Sequence, residues 1–505
     1  MDNALSKLLS FPPHPPPPNP LTDHQYDERI KAQIKAIKSL PIQTLLQKTS
    51  GGEHALDVGT VCLIKVINPA INTIPYSFVL LANTSICSDA SDCLNMEKVW
   101  EKIKAYLHYF DPRQIRYIGS EFSAIIETAI NFTQAMHQPE LAIIPVREAI
   151  IRLDPTGAVL TSNHLQFVRL VMESQNYNAM TPLLDKFILH VPDSNKIPDQ
   201  KHLCAMSLSP STYITPSSGL TKKLNYLEIL EYFIFCGMAC LGTRKWRSAL
   251  RHFECAITYP VRDAVSKPMV EAYKKWVLTG VILHGKLLVL PKITSSIAAK
   301  AYHTLARPYE NLARTFENDT ASKLKSEAKL GEQLWATDCN SGIVNEVLAS
   351  YQKFQILYLA NIYCKLSLPE IHSQTTCARP CSENLSVIDT ERLVLSMISQ
   401  GELSATMSTI SPNYSILTFS LNGPALSEQQ VQQELAATKS RIQYISREIK
   451  LTDRNLTHNK DYIKFLQKQK KKNKQDDSDN ENQAAGNALN WNDIDELDED
   501  IMGVY

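Results

Sequence analysis

Along most of the chain, apolar residues recur every three to four positions, the spacing of a helix that buries one face. This period predicts helices over Glu28–Gln47, Glu53–Ile67, Met96–Phe110, Ile115–Met136 and Pro139–Leu153, broken at Pro41, Pro69, Pro112, Pro139 and Pro155. Four more follow over Pro268–Lys286, Ser295–Phe316, Thr320–Trp335 and Gly342–Lys365. Gly237, Trp246, Ala249, Phe253, Ala256 and Pro260 form a tetratricopeptide-like unit. Such units place small residues where two helices cross and a large residue in the groove between them. Fainter echoes lie at Tyr177, Met180, Leu184, Phe187 and Pro192, and at Ala142, Val146, Ala149 and Pro155. Stacked helix pairs of this kind present extended contact surfaces.

The period changes between Leu366 and Phe419. Pro369-Glu370 opens a short helix, and a second helix from Ile388 carries Leu393, Val394, Met397 and Ile398 on one face before stopping at Gly401, a residue suited to a helix C-terminus. Leu403–Met407 and Tyr414–Phe419 then alternate as two strands joined through Ser411-Pro412-Asn413. Helix, helix and hairpin make a winged helix. From Leu366 to Pro424 it holds Arg379 and Arg392 against Glu370, Glu383, Asp389, Glu391 and Glu402. A net negative module lacks the cations that phosphate neutralisation requires. Protein contact through the strand edge is therefore expected, with Leu403, Ala405, Met407, Ile416 and Phe419 as the interface residues.

After Pro424, the capping box Ser427-x-x-Gln430 starts a long helix predicted to reach Lys472, a length of about 69 Å. Val431, Leu435, Ile442, Ile445, Ile449, Leu456, Ile463 and Leu466 recur along it at heptad spacing, with Thr438, Thr452 and Asn459 in the remaining seam positions. Such a seam needs a partner helix.

The domains expected are a disordered proline-rich leader (1–22), N-terminal helical repeats (23–192), a linker or insertion (193–220) and a third unit (221–420). That unit combines repeats (221–365) with the winged helix (366–420), followed by a bundle helix (424–472) and an acidic disordered tail (475–505). The fold class expected is an all-α helical-repeat solenoid followed by a small β wing and a long C-terminal helix.

Composition narrows the function. Lys plus Arg and Asp plus Glu number 52 each, so no global charge draws the chain to nucleic acid or to a membrane. Eleven cysteines without framework spacing, and no apolar span, are expected of a reduced protein of the cytoplasm and nucleus. Gly280-x4-Gly285-Lys286 approaches a phosphate loop, but Leu287 stands where a hydroxyl is required. Cys377-x3-Cys381 with His372 offers three zinc ligands where a structural site uses four. No HxH, HExxH, GxSxG or GxGxxG occurs. No catalytic residue, metal site or cofactor is expected.

Ala256-Ile257-Thr258, Glu271 to Lys275, Gly285-Lys286 through Leu290-Pro291-Lys292, Ala301-Tyr302-His303 and Gly401-Glu402 resemble the PCI-domain family, and within it the branch of the COP-9 signalosome. The likeness is strongest from Leu227 to Phe419. It implies that winged helices of several subunits pair edge to edge in an arc and that their C-terminal helices gather in a bundle. It also implies a non-catalytic scaffold among other signalosome subunits, meeting cullin-RING ligases indirectly, since the zinc isopeptidase that removes NEDD-eight from cullins belongs to another subunit. The rival readings are a PCI subunit of the proteasome lid or of initiation factor three, and a nucleic-acid-binding winged helix.

Overall fold

The computed structural model describes residues 6–12, 21–41, 67–87, 93–192, 202–206, 208–260, 265–375, 378, 386–411, 414–420, 428–457, 460 and 462–468. The helix expected over Glu53–Ile67, save its last residue, and the tail from 475 lie outside them. The chain divides into two compact units, Met1–Phe419 and Ser420–Tyr505. Among the described residues no helix is long and apolar enough to cross a membrane.

The first unit is an all-α solenoid that ends in a small β wing, as the sequence pattern predicts. It opens with α1 (Asp23–Lys38), where Thr22 and Gln25 form a capping box and Tyr26, Ile30, Gln33 and Ile37 turn inward at helical spacing. The expectation of a disordered leader fails for residues 6–12. Leu8 and Phe11 are buried, and the buried Gln33 amide donates to both their carbonyls, at 2.9 and 2.8 Å.

Helices α2 (Thr73–Cys87), α3 (Cys93–Tyr109), α4 (Gly119–Ala135), α5 (Glu140–Leu153) and α6 (Ser162–Ser174) pack successively against one another. The sequence pattern missed α2, because a helix apolar nearly all round shows no period. Of the expected linker or insertion over 193–220, the described residues do not behave as a solvated linker. Cys204, Tyr213, Ile214 and Leu220 are buried, and two arginines satisfy the backbone that burial strands. Arg113 donates to the Cys204 carbonyl at 2.6 Å, and Arg116 donates to those of Leu203 and Ala205 at 2.9 and 2.8 Å. Composition rich in Ser and Pro thus marks irregular backbone here, but not solvation.

The tetratricopeptide-like unit folds as α7 (Tyr226–Gly242) and α8 (Trp246–Ile257). A Cβ on Gly237 would stand 2.5 Å from the ring of buried Phe253, so the crossing closes only around glycine. Then come α9 (Lys267–His284), α10 (Ser296–Leu305) and α11 (Arg307–Asn318). Ser295–Phe316 was expected as one helix. It breaks at Ala306 because the Pro308 ring would collide with the preceding turn, whereas the first turn of a new helix accepts it. Thr320–Trp335 likewise splits into α12 (Ala321–Leu330) and α13 (Glu332–Thr337) at Gly331, where a Cβ would meet the Trp335 ring at 2.3 Å.

Charged groups buried at this end of the solenoid are paired. Glu310 accepts from Tyr273 at 2.8 Å and Arg314 at 3.2 Å and meets His303 at 2.7 Å. Asp338 accepts from Lys274 at 2.8 Å and Tyr309 at 2.7 Å. Burial, reinforced by Glu310, raises the Tyr273 phenol well above its ordinary value and keeps it a donor. Finally α14 (Ser341–Ile362) gives Val344, Val347, Leu348 and Tyr351 to the large core and Ile356 to the core of the wing, so one rigid element joins the two.

Two measurements follow from these contacts. Gly237→Leu should destabilise the chain by about 1–3 kcal/mol through overpacking. Gly342→Ala, in the first turn of α14 with nothing within 4 Å of the added Cβ, should be neutral or stabilising; urea midpoints compare the two. The second measurement concerns pH. His164 caps α6 by accepting from the Thr161 N–H at 3.3 Å, and burial lowers its pKa to about 4. Between an unfolded value near 6.5 and that folded value, the unfolded chain holds a proton that the native chain refuses. Stability should therefore fall as pH drops from about 6.5 toward 4, with no contribution from this group above that window. His164→Gln, whose side chain can serve the same cap, should flatten the slope in urea titrations between pH 5 and 7.5.

Candidate interaction surfaces

The wing module is β1 (Lys365–Ser367), α15 (Leu368–Gln374), α16 (Val387–Ser399), β2 (Ala405–Ser411) and β3 (Tyr414–Phe419). Each helix starts on a capping box. Ser367 and Glu370 exchange bonds at α15, Ser386 and Asp389 at α16, and the serine donors hold both carboxyls below the usual carboxylate range. Helix α16 ends as expected at Gly401, left-handed at φ +73. The Gly401 N–H donates to the Ile398 carbonyl and the Glu402 N–H to that of Met397, which is the Schellman pattern. His372 and Thr390 lock the helices together at 2.9 Å.

The sheet order is β1-β3-β2, both pairings antiparallel. The sequence pattern anticipated the hairpin but not β1. Strand β2 is thus an edge, with no further strand beside it among the described residues, and an irregularity of register interrupts it between Thr409 and Ser411. Of the five expected interface residues, Leu403 and Phe419 are buried in the module's own core, and Ala405 and Met407 pack partly against it. Ile416 is half-buried on the opposite face, as two-residue alternation requires. The five therefore do not form one surface. What the module offers outward is the backbone edge of β2, the exposed Ile388 and Leu395 of α16, and the exposed Tyr358 and Ile362 at the end of α14. The sequence pattern overlooked those four. Ile388 and Leu395 are seven residues apart and Tyr358 and Ile362 four apart, and both intervals return to one helix face.

Cations are sparse on the module. Arg392, the one Lys or Arg of α16, lies 3.5 Å from Asp389, and Lys353 on α14 pairs with Glu402 at 3.0 Å. Nothing here gathers positive charge for a phosphate backbone.

In the second unit, α17 runs over Glu428–Thr457, with helical residues again at 460 and 462–468. The helix thus begins where the capping signal placed it; Lys472 lies outside the described residues. Seam residues Leu435, Ile442 and Ile449 are 63, 58 and 61% exposed. Val431, Ile463 and Leu466 are exposed as well, and Ile445 and Leu456 are half-buried. Aliphatic side chains of this size return about 1.5–3 kcal/mol each when fully covered. The helix therefore carries an apolar stripe.

Of the two near-motifs for phosphate and zinc, the first lies wholly within the described residues. Gly280 lies inside α9, and Gly285 ends it at φ +68, so the near-match to a phosphate loop is helix followed by a C-terminal cap. Cys377 and Cys381 lie outside the described residues, and among those described no three His, Cys, Asp or Glu side chains could together hold a metal.

Comparison with known proteins agrees with this architecture. A family described as "COP9 signalosome complex subunit 3, N-terminal helical repeats" matches residues 54–298. The COP9 signalosome complex subunit 3 of Emericella nidulans is 29% identical over 514 residues, covering 100% of this chain and 99% of the relative. That of Neurospora crassa is 32% identical over 512 residues, covering 99% of each. With a relative this similar along its whole length and a fold of helical repeats, the chain belongs to the COP9 signalosome subunit 3 family.

Proposed function

We propose that this chain is a non-catalytic scaffold subunit of the signalosome, the complex that removes NEDD-eight from the cullins of cullin-RING ligases. The observation that carries the proposal is the stripe of α17, whose Leu435, Ile442 and Ile449 stay exposed in the chain by itself. Helices of other subunits would cover Val431, Leu435, Ile442, Ile445, Ile449, Leu456, Ile463 and Leu466 in a common bundle. The wing would meet a neighbouring subunit through the β2 edge, with Ile388 and Leu395 packing beside it. Leu403 and Phe419 would support that edge from behind.

On this reading the chain positions other subunits and performs no chemistry, and it meets cullin-RING ligases only through them, in the cytoplasm and nucleus. The rival of nucleic-acid binding through the wing is disfavoured by the scarcity of cations on α16. Likewise, the lid and initiation-factor alternatives are disfavoured by the full-length match to subunit 3 proteins.

The test is the double variant Ile442→Asp with Ile449→Asp. Two unpaired charges in a desolvated seam cost several kcal/mol on the order of magnitude, so co-purification with the other subunits should fall by more than about a hundredfold. The melting of the variant by itself should match the wild type. Assembly at wild-type levels would exclude the seam as the contact.

A further inference from the structure

The apolar stripe is not the only ordered pattern on α17. Lys439, Arg447, Lys450 and Arg454 stand at i, i+8, i+11 and i+15, which at 100° per residue places them within about 80° of one another. The centre of this basic stripe lies roughly a third of a turn from the aliphatic seam. Lys464 and Lys468, four apart, continue the basic character in helical residues 462–468. All six side chains are exposed, and none makes an ion pair among the described residues; Asp453 lies at the margin of the stripe. From Lys439 to Lys474 there are twelve Lys and Arg against three acids. Immediately beyond, Asp476 to Asp500 holds ten acids and no Lys or Arg.

We propose that the acidic segment 476–500 folds back onto this basic stripe of the same chain, shielding it from outside polyanions while leaving the apolar seam open. The proposal is independent of the assembly role. Charge complementarity selects the occupant, and the length of chain permits it. Lys468 and Asp493 are 25 residues apart, enough at coil dimensions to bridge roughly 25–30 Å. At the helical rise Lys450 lies about 27 Å before Lys468, so the second acidic group, Asp493 to Asp500, reaches Lys450 and Arg454. The first group, Asp476 to Glu481, falls beside Lys464 and Lys468. At physiological salt each pair is screened beyond about 8 Å, so the contact depends on several charges meeting at once and weakens steeply as salt rises. Because the two stripes lie on different faces, a helix bound along the seam does not displace the acidic segment.

Zero-length carbodiimide cross-linking of the full chain tests this. At low salt, peptides joining Lys450 to the carboxyls of Asp493–Asp500 should be recovered, and they should disappear near 1 M salt. In a mixture of unlabelled and nitrogen-15-labelled chains, both halves of each cross-link should carry the same label. The double variant Arg447→Glu and Arg454→Glu should lose the Lys450 links to Asp493–Asp500 while keeping the wild-type circular dichroism, and Lys450→Glu added to it gives a triple substitution for the next test. A variant ending at Gln475 should be retained longer than the full chain on immobilised heparin, and adding the triple substitution should abolish the gain. The proposal is overturned by any of three results: no link between tail and helix, links of mixed label that make a second copy the occupant, or heparin retention indifferent to loss of the tail.

Discussion

A row of aliphatic side chains facing water lowers the stability of whatever carries it, and α17 carries such a row for its whole length. Each of Leu435, Ile442 and Ile449 forgoes most of the free energy that burial returns. The solenoid, by contrast, closes over its own core. Its helices bury their apolar faces on one another, and Glu310 and Asp338 inside it are held by hydrogen bonds from tyrosine and cationic side chains. The chain thus combines a unit with a large buried core of its own and a helix that carries exposed aliphatic side chains. That asymmetry separates a subunit from a free-standing protein.

Close approaches at a few glycines set how the helices of the first unit cross. Gly237 admits the Phe253 ring at the α7–α8 crossing, and Gly331 admits Trp335 between α12 and α13. Helix α14 is shared between the large core and the wing, so the wing does not hang on a tether. Its edge strand β2 is held in place by Leu417 and Phe419 behind it. Asp338, just before α14, is tied to Lys274 of α9 and Tyr309 of α11, and Glu310 joins α9, α10 and α11 through Tyr273, His303 and Arg314.

Local signals in the sequence were read where the physics is local. Gly401, the alternation of β2 and β3, and Gly237 with Phe253 sixteen residues on each stand close in sequence to the partner that gives them meaning, and a helix stop, a hairpin and a crossing followed from them. Three features were illegible because their partners are remote. The apolar uniformity of α2 hides its period, since neighbours on all sides bury it. Residues 202–220 read as linker because the arginines that satisfy their carbonyls, Arg113 and Arg116, lie nearly 90 residues earlier. Likewise, Leu8 and Phe11 depend on Gln33 and Asn72. The apolar stripe of the terminal helix was legible, because heptads need no knowledge of the fold. Which wing residues stay exposed was only partly legible, because alternation alone does not say which face the module reserves for its own core. Leu403 and Phe419 went inward, and Ile388 and Leu395 remained outside.

The central claim is that the terminal helix is completed by other proteins. Amide hydrogen exchange across residues 428–457 measures this most directly, once on the isolated chain and once on the chain within the purified assembly. The account predicts rapid exchange alone and strong protection in the assembly, centred on Leu435 to Ile449, with the solenoid core equally protected in both. Equal protection of the terminal helix in the two samples would contradict it.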